Sequence, residues 1–142
     1  MLSHYSALLG RCIAYARYLR GIQYVKYGFF VALVFLMGAG LKVATVPLMF
    51  PESLDVSDKT IHLVVFFGFA FLADIVSSRE PFWLWKALPV ALYGIGVEVL
   101  QLFSPDRSFS VADIAADLAG ILLYWFCKQL VYWIAKRRSS LI

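Results

Sequence analysis

The sequence has few charged residues and few cysteines. Asp, Glu, Lys and Arg make up 15% of the 142 residues, against about 25% in soluble domains. The two cysteines, Cys12 and Cys127, stand far apart with neither a CxxC pair nor a neighbouring histidine, so no zinc or thioredoxin-like motif is readable. Hydrophobic residues instead make up 62% of the chain. A water-soluble globular domain is therefore excluded.

Long apolar runs occupy most of the chain, and each approaches the roughly 20 residues that a helix needs to cross a bilayer. We expect transmembrane helices at about 27–50, 58–76, 82–103 and 111–134. They form one membrane domain, 27–135, between a basic cytoplasmic or interfacial leader, 1–26, and a basic tail, 136–142. The expected fold class is all-α, a four-transmembrane-helix bundle, and little chain remains for a soluble catalytic domain.

The basic residues indicate membrane orientation rather than nucleic-acid binding. The net charge is +4, and most of the Lys and Arg residues lie in the leader, at the C-terminal end and in the loop after the second span, to which we assign Arg79 and Lys86. The exceptions are Lys42, Lys59 and Arg107. Because cytoplasmic segments carry an excess of Lys and Arg, we expect both termini and the middle loop in the cytoplasm.

Polar side chains inside the apolar runs gather at one end of the expected bundle. An ionisable residue at the centre of a span costs about 2.5–3.5 kcal/mol on insertion scales and is rare without a role. The candidate ligand-binding residues are Asp58, Lys59, His62, Glu98, Gln101, Arg107, Asp113 and Asp117. Spacings of three or four residues place those of one helix on one face. We expect three faces to converge on one outward-facing pocket, whose excess carboxylates must be protonated, solvated or metal-bound.

Most candidates also have a structural interpretation. Asp58 follows a serine that can cap the second span, and Ser110-Val-Ala-Asp113 matches the capping-box pattern. His62 can be a hydrogen-bonded packing residue. Glu98 is harder to explain, because apolar residues flank it and no helix cap requires it. No catalytic residue is assigned from the sequence, and the candidates are His62 and Glu98.

Small residues indicate where helices pack closely. Ala112, Ala116 and Gly120 repeat every four residues on one face of the fourth span, and Gly94 and Gly96 lie in the third. Such residues let two helix backbones approach each other in a membrane. We expect helix contacts at both places.

The polar residues also form an ordered set of motifs along the chain. In order, the motifs are Asp58-Lys59-x-x-His62, Glu98-x-x-Gln101, Arg107 and Asp113-x-x-x-Asp117. This set resembles the VanZ-like family of small bacterial membrane proteins over about 57–124, although Asp117 stands where the family usually has Asn. The resemblance implies a multi-pass protein of the bacterial inner (cytoplasmic) membrane. The family's named member is linked to teicoplanin resistance, but the resemblance implies no particular reaction for the family.

Three functions are open. The first is binding of a membrane lipid or a lipid-linked envelope precursor, with Arg107 and Lys59 holding phosphate and Glu98 and Gln101 binding hydroxyl or amide groups. The second is an intramembrane enzyme acting on such lipids, and the third is a structural subunit whose polar network fixes helix register. The sequence contains no nucleophile motif and no recognised metal signature, so no cofactor and no metal ligand are assigned. A homo-oligomer or a membrane-protein partner stays open.

Overall fold

The computed structural model shows an all-α chain. It describes the backbone of residues 2–45, 57–104 and 108–139. Side chains are described for residues 22–43, 57–104, 108–134 and 136–137. The helices are α1 (Leu2–Thr45), α2 (Asp58–Val76), α3 (Leu88–Gln101) and α4 (Val111–Ser139), with a π-helical turn, Trp83–Ala87, leading into α3. No strand occurs in these described ranges.

The prediction of four apolar helices long enough to cross a membrane is confirmed. The stretches that meet this condition are Ile22–Val43, Asp58–Val76, Trp83–Gln101 and Val111–Ile134. Most of their exposed large side chains are apolar, as contact with acyl chains requires. Helix α1 continues without a break from the leader into the first span, whose expected end at residue 50 lies outside the described residues. The orientation of the termini stays a prediction.

Helices α2 and α4 run parallel and make the most extensive contact in the bundle. The His62 and Asp117 side chains meet at one end of this pair, and those of Asp74 and Lys128 meet at the other. We call these the His62 end and the Asp74 end. Helix α3 runs antiparallel to α4, so that Glu98 reaches the backbone at the start of α4. The bundle therefore has two polar ends separated by apolar packing.

Gly120 fixes the close approach of α4 to α2. A Cβ atom at this position would collide with the carbonyl oxygen of Leu63 and would lie 2.9 Å from the backbone nitrogen of Phe67. The expected helix contact is confirmed here. Ala112, in the same row, is exposed, so the packing prediction is wrong for this residue.

The two glycines of α3 differ in their surroundings. A Cβ atom on Gly94 would lie 2.6 Å from Asp117 Oδ2 and 2.8 Å from the Phe66 ring, so this glycine lets the helices pack closely. A Cβ atom on Gly96 would have no neighbour within 4 Å. The packing prediction is confirmed for Gly94 and wrong for Gly96, which faces away from the bundle.

The π-helical turn before α3 accommodates a proline and a buried lysine. The backbone N–H of Leu88 bonds to Trp83 O, five residues back, and Pro89 follows at the start of α3. Proline lacks an N–H and would clash with the carbonyl four residues earlier in a regular α-helix, so a wider turn relieves this position. Lys86 lies in the turn and is 2% exposed. Its assignment to a basic loop is therefore wrong.

Candidate functional site

The candidates on α2, α3 and α4 lie together at the His62 end. The start of α2 supplies Asp58, Lys59 and His62, while α3 and α4 contribute the side chains of Glu98, Gln101, Asp113 and Asp117. The i,i+4 spacing on α2 and α4 brings these groups together because the two helices start at the same end. Arg107 lies outside the described residues, so its position stays a prediction.

His62 and Asp117 form a direct pair between α2 and α4. The distance from His62 Nδ1 to Asp117 Oδ1 is 2.8 Å, and Asp117 is 2% exposed. A carboxylate can only accept a hydrogen bond, so the imidazole donates through Nδ1. In the neutral ring the other nitrogen, Nε2, then carries the lone pair. The carboxylate therefore fixes both the tautomer and the orientation of the ring.

Glu98 completes the N-terminal cap of α4. The backbone N–H of Ser110 donates to Glu98 Oε2 at 2.9 Å, and Ser110 Oγ accepts the backbone N–H of Asp113 at 3.2 Å. Glu98 is 0% exposed, and the Gln101 side-chain nitrogen, once its amide is oriented to donate, lies 3.3 Å from both Glu98 oxygens. The expectation that no cap requires Glu98 is wrong, since Glu98 occupies the role that a capping box would give to Asp113.

The His62 end carries carboxylate oxygens without hydrogen bonds. Asp113 Oδ1 and Asp117 Oδ2 are buried and have no hydrogen-bond partner. Lys59 Nζ lies 3.8 Å from Asp113 Oδ1, but the lysine side chain is 59% exposed. A buried acceptor without a partner costs about 1–3 kcal/mol, so native proteins rarely leave one without a reason.

An open cleft adjoins these groups between α1, α2 and α3. Its volume is about 130 Å³, and Asp58, His62 and Gln101 are among its lining residues. Apolar side chains, including Val65 and Phe69, form much of the remaining wall. The cleft therefore joins polar groups to an apolar surface, as a site for an amphiphile requires.

The Asp74 end holds a second polar cluster, which has a different character. Asp74 accepts hydrogen bonds from Lys86 at 2.8 Å, from Lys128 at 2.9 Å and from Tyr124 at 2.6 Å. Lys86 also donates to Glu80 Oε1 at 2.8 Å. Glu80 lies in the connection between two spans. The hydrogen bond from Lys86 holds the pKa of the Glu80 carboxyl below its ordinary value. Two ammonium groups thus face two carboxylates.

Sequence reasoning missed this second cluster because each charge was considered on its own helix. Asp74 and Lys128 are not among the candidates from the sequence, and Lys86 is assigned there to a loop. The available signal was an acid and two lysines within apolar runs at one depth of the bundle. Such residues pair with one another when they face a bundle interior.

Comparison with known proteins shows a match to one protein family. A family model described as VanZ/LLP1 matches residues 11–134, which is most of the chain. Neither the curated proteins nor the solved structures gave a match. The matched region includes the four apolar helices and both polar ends.

Proposed function

The chain belongs to the VanZ/LLP1 family, and from this premise we propose that its His62 end binds the headgroup of a membrane lipid or lipid-linked cell-envelope precursor. The cleft carries the proposal, because its polar residues adjoin an apolar wall. An acyl or prenyl chain would lie along Val65 and Phe69, with the headgroup beside His62 and Gln101. In the bacterial inner membrane this end would face outward.

The chemistry of the cluster suits a polar headgroup. Gln101 lines the cleft and can bond hydroxyl or amide groups, while buried Glu98 acts through Gln101 by holding its amide. The exposed ammonium of Lys59 can pair with a phosphate, and Arg107 is expected to contribute a second cation. Glu98 is therefore a positioning residue in this proposal.

Photo-crosslinking tests the cleft directly. The full chain in nanodiscs is irradiated with a polyprenyl phosphate that carries a diazirine near its headgroup, and labelled peptides are mapped. We expect labelling of α2 that Val65→Trp abolishes, because Val65 lines the cleft. Val64→Trp is the matched control, since Val64 is 61% exposed and lies on the outer face. Equal labelling of both variants would contradict the proposal.

Cysteine labelling tests the side of the membrane. In a cysteine-free background, a cysteine at Ser108 should react with an impermeant thiol reagent in intact cells, whereas one at Ser78 should not. Ser108 lies near the start of α4, and Ser78 follows the end of α2. Both residues are exposed, so access differs only by side. The reverse pattern would place the cleft in the cytoplasmic half and exclude an outer-leaflet ligand.

The His62–Asp117 pair favours a second candidate function, catalysis on the same lipids. A carboxylate that orients an imidazole is a recurring arrangement for a general base. Release of a product from the polyprenyl phosphate by wild type, and not by His62→Gln, would favour the enzyme over a binding protein.

A link to teicoplanin resistance rests on the family resemblance alone. Comparing the teicoplanin sensitivity of cells that express wild type or Gln101→Leu tests it.

A further inference from the structure

We propose that Asp58, His62 and Asp113 form a binding site for one divalent transition-metal ion beside the cleft. Each side chain offers one ligand atom, and these atoms lie within 4.8 Å of one another. Ligand atoms sit about 2.1 Å from such an ion, so two of them lie about 3.4 Å apart in a tetrahedral site. Asp58 is exposed at the first turn of α2, and rotation of its side chain can close the remaining gap.

The state of Asp113 supports a ligand at this place. Asp113 is only 7% exposed, and its Oδ1 has no hydrogen-bond partner. Glu98 takes the backbone N–H of Ser110, so the Asp113 carboxylate is not used in the cap. The Lys59 ammonium, 3.8 Å away on an exposed side chain, is too distant for a hydrogen bond, and pairs of this kind contribute about 0–1 kcal/mol. A bound cation would supply the missing partner.

The state of His62 supports the same assignment independently. Histidines that bind metals usually donate their other ring N–H to a carboxylate or a carbonyl, which fixes the tautomer. His62 donates through Nδ1 to Asp117 at 2.8 Å, so Nε2 is the nitrogen with a lone pair. Asp117 therefore acts as the orienting carboxylate behind the proposed ligand.

The donor set indicates the class of ion. Two carboxylate oxygens and one imidazole nitrogen suit Mn²⁺ or Zn²⁺, whereas Mg²⁺ and Ca²⁺ favour oxygen ligands alone. Three protein ligands also leave open coordination positions. Asp58 and His62 line the cleft, so an anionic group there could fill one of them. This last step rests on the proposed headgroup binding, but binding of the ion does not.

Metal titration of the full chain tests the site. Protein stripped with EDTA in detergent is titrated with Mn²⁺ while free Mn²⁺ is followed by electron paramagnetic resonance, and bound Zn²⁺ is counted by elemental analysis after desalting. We expect one ion per chain. His62→Gln and Asp113→Asn should each weaken binding by at least tenfold, and Asp117→Asn by about tenfold through the orienting contact. Glu80→Gln, at the Asp74 end, should have no effect.

Spectroscopy makes the ligand assignment falsifiable even where a variant folds poorly. Bound Mn²⁺ in the wild-type protein should show hyperfine coupling to an imidazole nitrogen, and labelling histidine with ¹⁵N should change it. Asp58→Asn changes an exposed residue and provides a variant that perturbs packing least. Absence of a stoichiometric ion in wild type, or an ion without imidazole coupling, would overturn the proposal. Unchanged affinity in a folded Asp58→Asn or Asp113→Asn protein would also overturn it.

Discussion

The two ends of the bundle bury charge in opposite ways. At the Asp74 end, Asp74 and Glu80 face Lys86 and Lys128, and each of these groups has a hydrogen bond or ion pair within 3 Å. At the His62 end, carboxylates outnumber the described cations and two buried carboxylate oxygens lack hydrogen bonds. Both ends are built on α2 and α4, so the difference lies in the charges and not in the scaffold.

This difference separates a structural network from a site. A balanced buried network holds helices together, and removing one charge leaves the opposite charge in excess among the remaining groups. An unbalanced cluster is stabilised when a further cation or a ligand binds. Its excess charge therefore favours binding and does not stabilise the unliganded fold. The same substitution should therefore have opposite consequences at the two ends.

The largest expected effect is loss of stability in Asp74→Asn. The change removes the charge that faces Lys86 and Lys128, and Lys86 is 2% exposed, so it cannot turn to water. Breaking a buried charge pair costs about 3–5 kcal/mol. Reversible unfolding in mixed micelles of a mild detergent and SDS measures this loss.

Asp117→Asn makes the same change at the His62 end and serves as the matched variant. The amide oxygen can still accept from His62, and one carboxylate is removed from an already acidic cluster. We expect stability equal to or above that of wild type. A loss as large as that of Asp74→Asn would mean that the His62 end is also a structural network, and the comparison would fail.

Gly120→Ala should destabilise the protein by about 1–3 kcal/mol, the usual cost of overpacking. The new methyl group would meet the backbone of Leu63, which cannot move as a side chain can. Because Gly120 lies between the two polar ends, a shift of α4 should disturb both. Gly96→Ala is the control, since nothing lies within 4 Å of its added Cβ, and it should raise stability by up to about 1 kcal/mol. Similar unfolding of the two variants would argue against the close contact.

Glu98→Leu should cost about 0.5–2 kcal/mol, the range for loss of a helix cap, because the Ser110 N–H loses its acceptor. Glu98→Gln keeps an acceptor oxygen and should unfold like wild type, while labelling by the polyprenyl phosphate probe falls as Gln101 loses its charged partner. If Glu98→Gln were fully active and more heat-stable, Glu98 would be a tolerated structural charge. The accessory-subunit hypothesis would then be favoured.

The sequence was sufficient for the features that depend on one helix at a time. Apolar runs of membrane length gave the four helices, and the spacing of Asp58 with His62 and of Asp113 with Asp117 gave shared faces. The parallel direction of α2 and α4 agrees with the expected topology, because successive spans cross a membrane in alternate directions. These inferences need only local periodicity and the thickness of a bilayer.

The features that depend on how helices meet were beyond the sequence. Lys86 is buried because Asp74, on another helix, and Glu80 both reach it. Glu98 caps α4 because the end of α3 lies against Ser110, twelve residues further along the chain. Neither residue carries a local signal of its partner, so periodicity could not assign these roles.

The smallest expected loss of stability comes from Glu80, at the Asp74 end, as the pH falls. The hydrogen bond from Lys86 lowers the pKa of Glu80 in the folded protein. The contribution of Glu80 to folding stability is therefore fully present above the pKa of Glu in the unfolded chain, about 4.3. It is lost as the pH falls through the lower pKa of the folded protein. The Glu80 side chain is 63% exposed, so solvent screens the pair and the effect should be modest. We expect unfolding curves measured from pH 6 to pH 3 to lose slightly less stability in Glu80→Gln than in wild type. Identical slopes would show that Asp74 alone balances Lys86 and would confine the network to the buried charges.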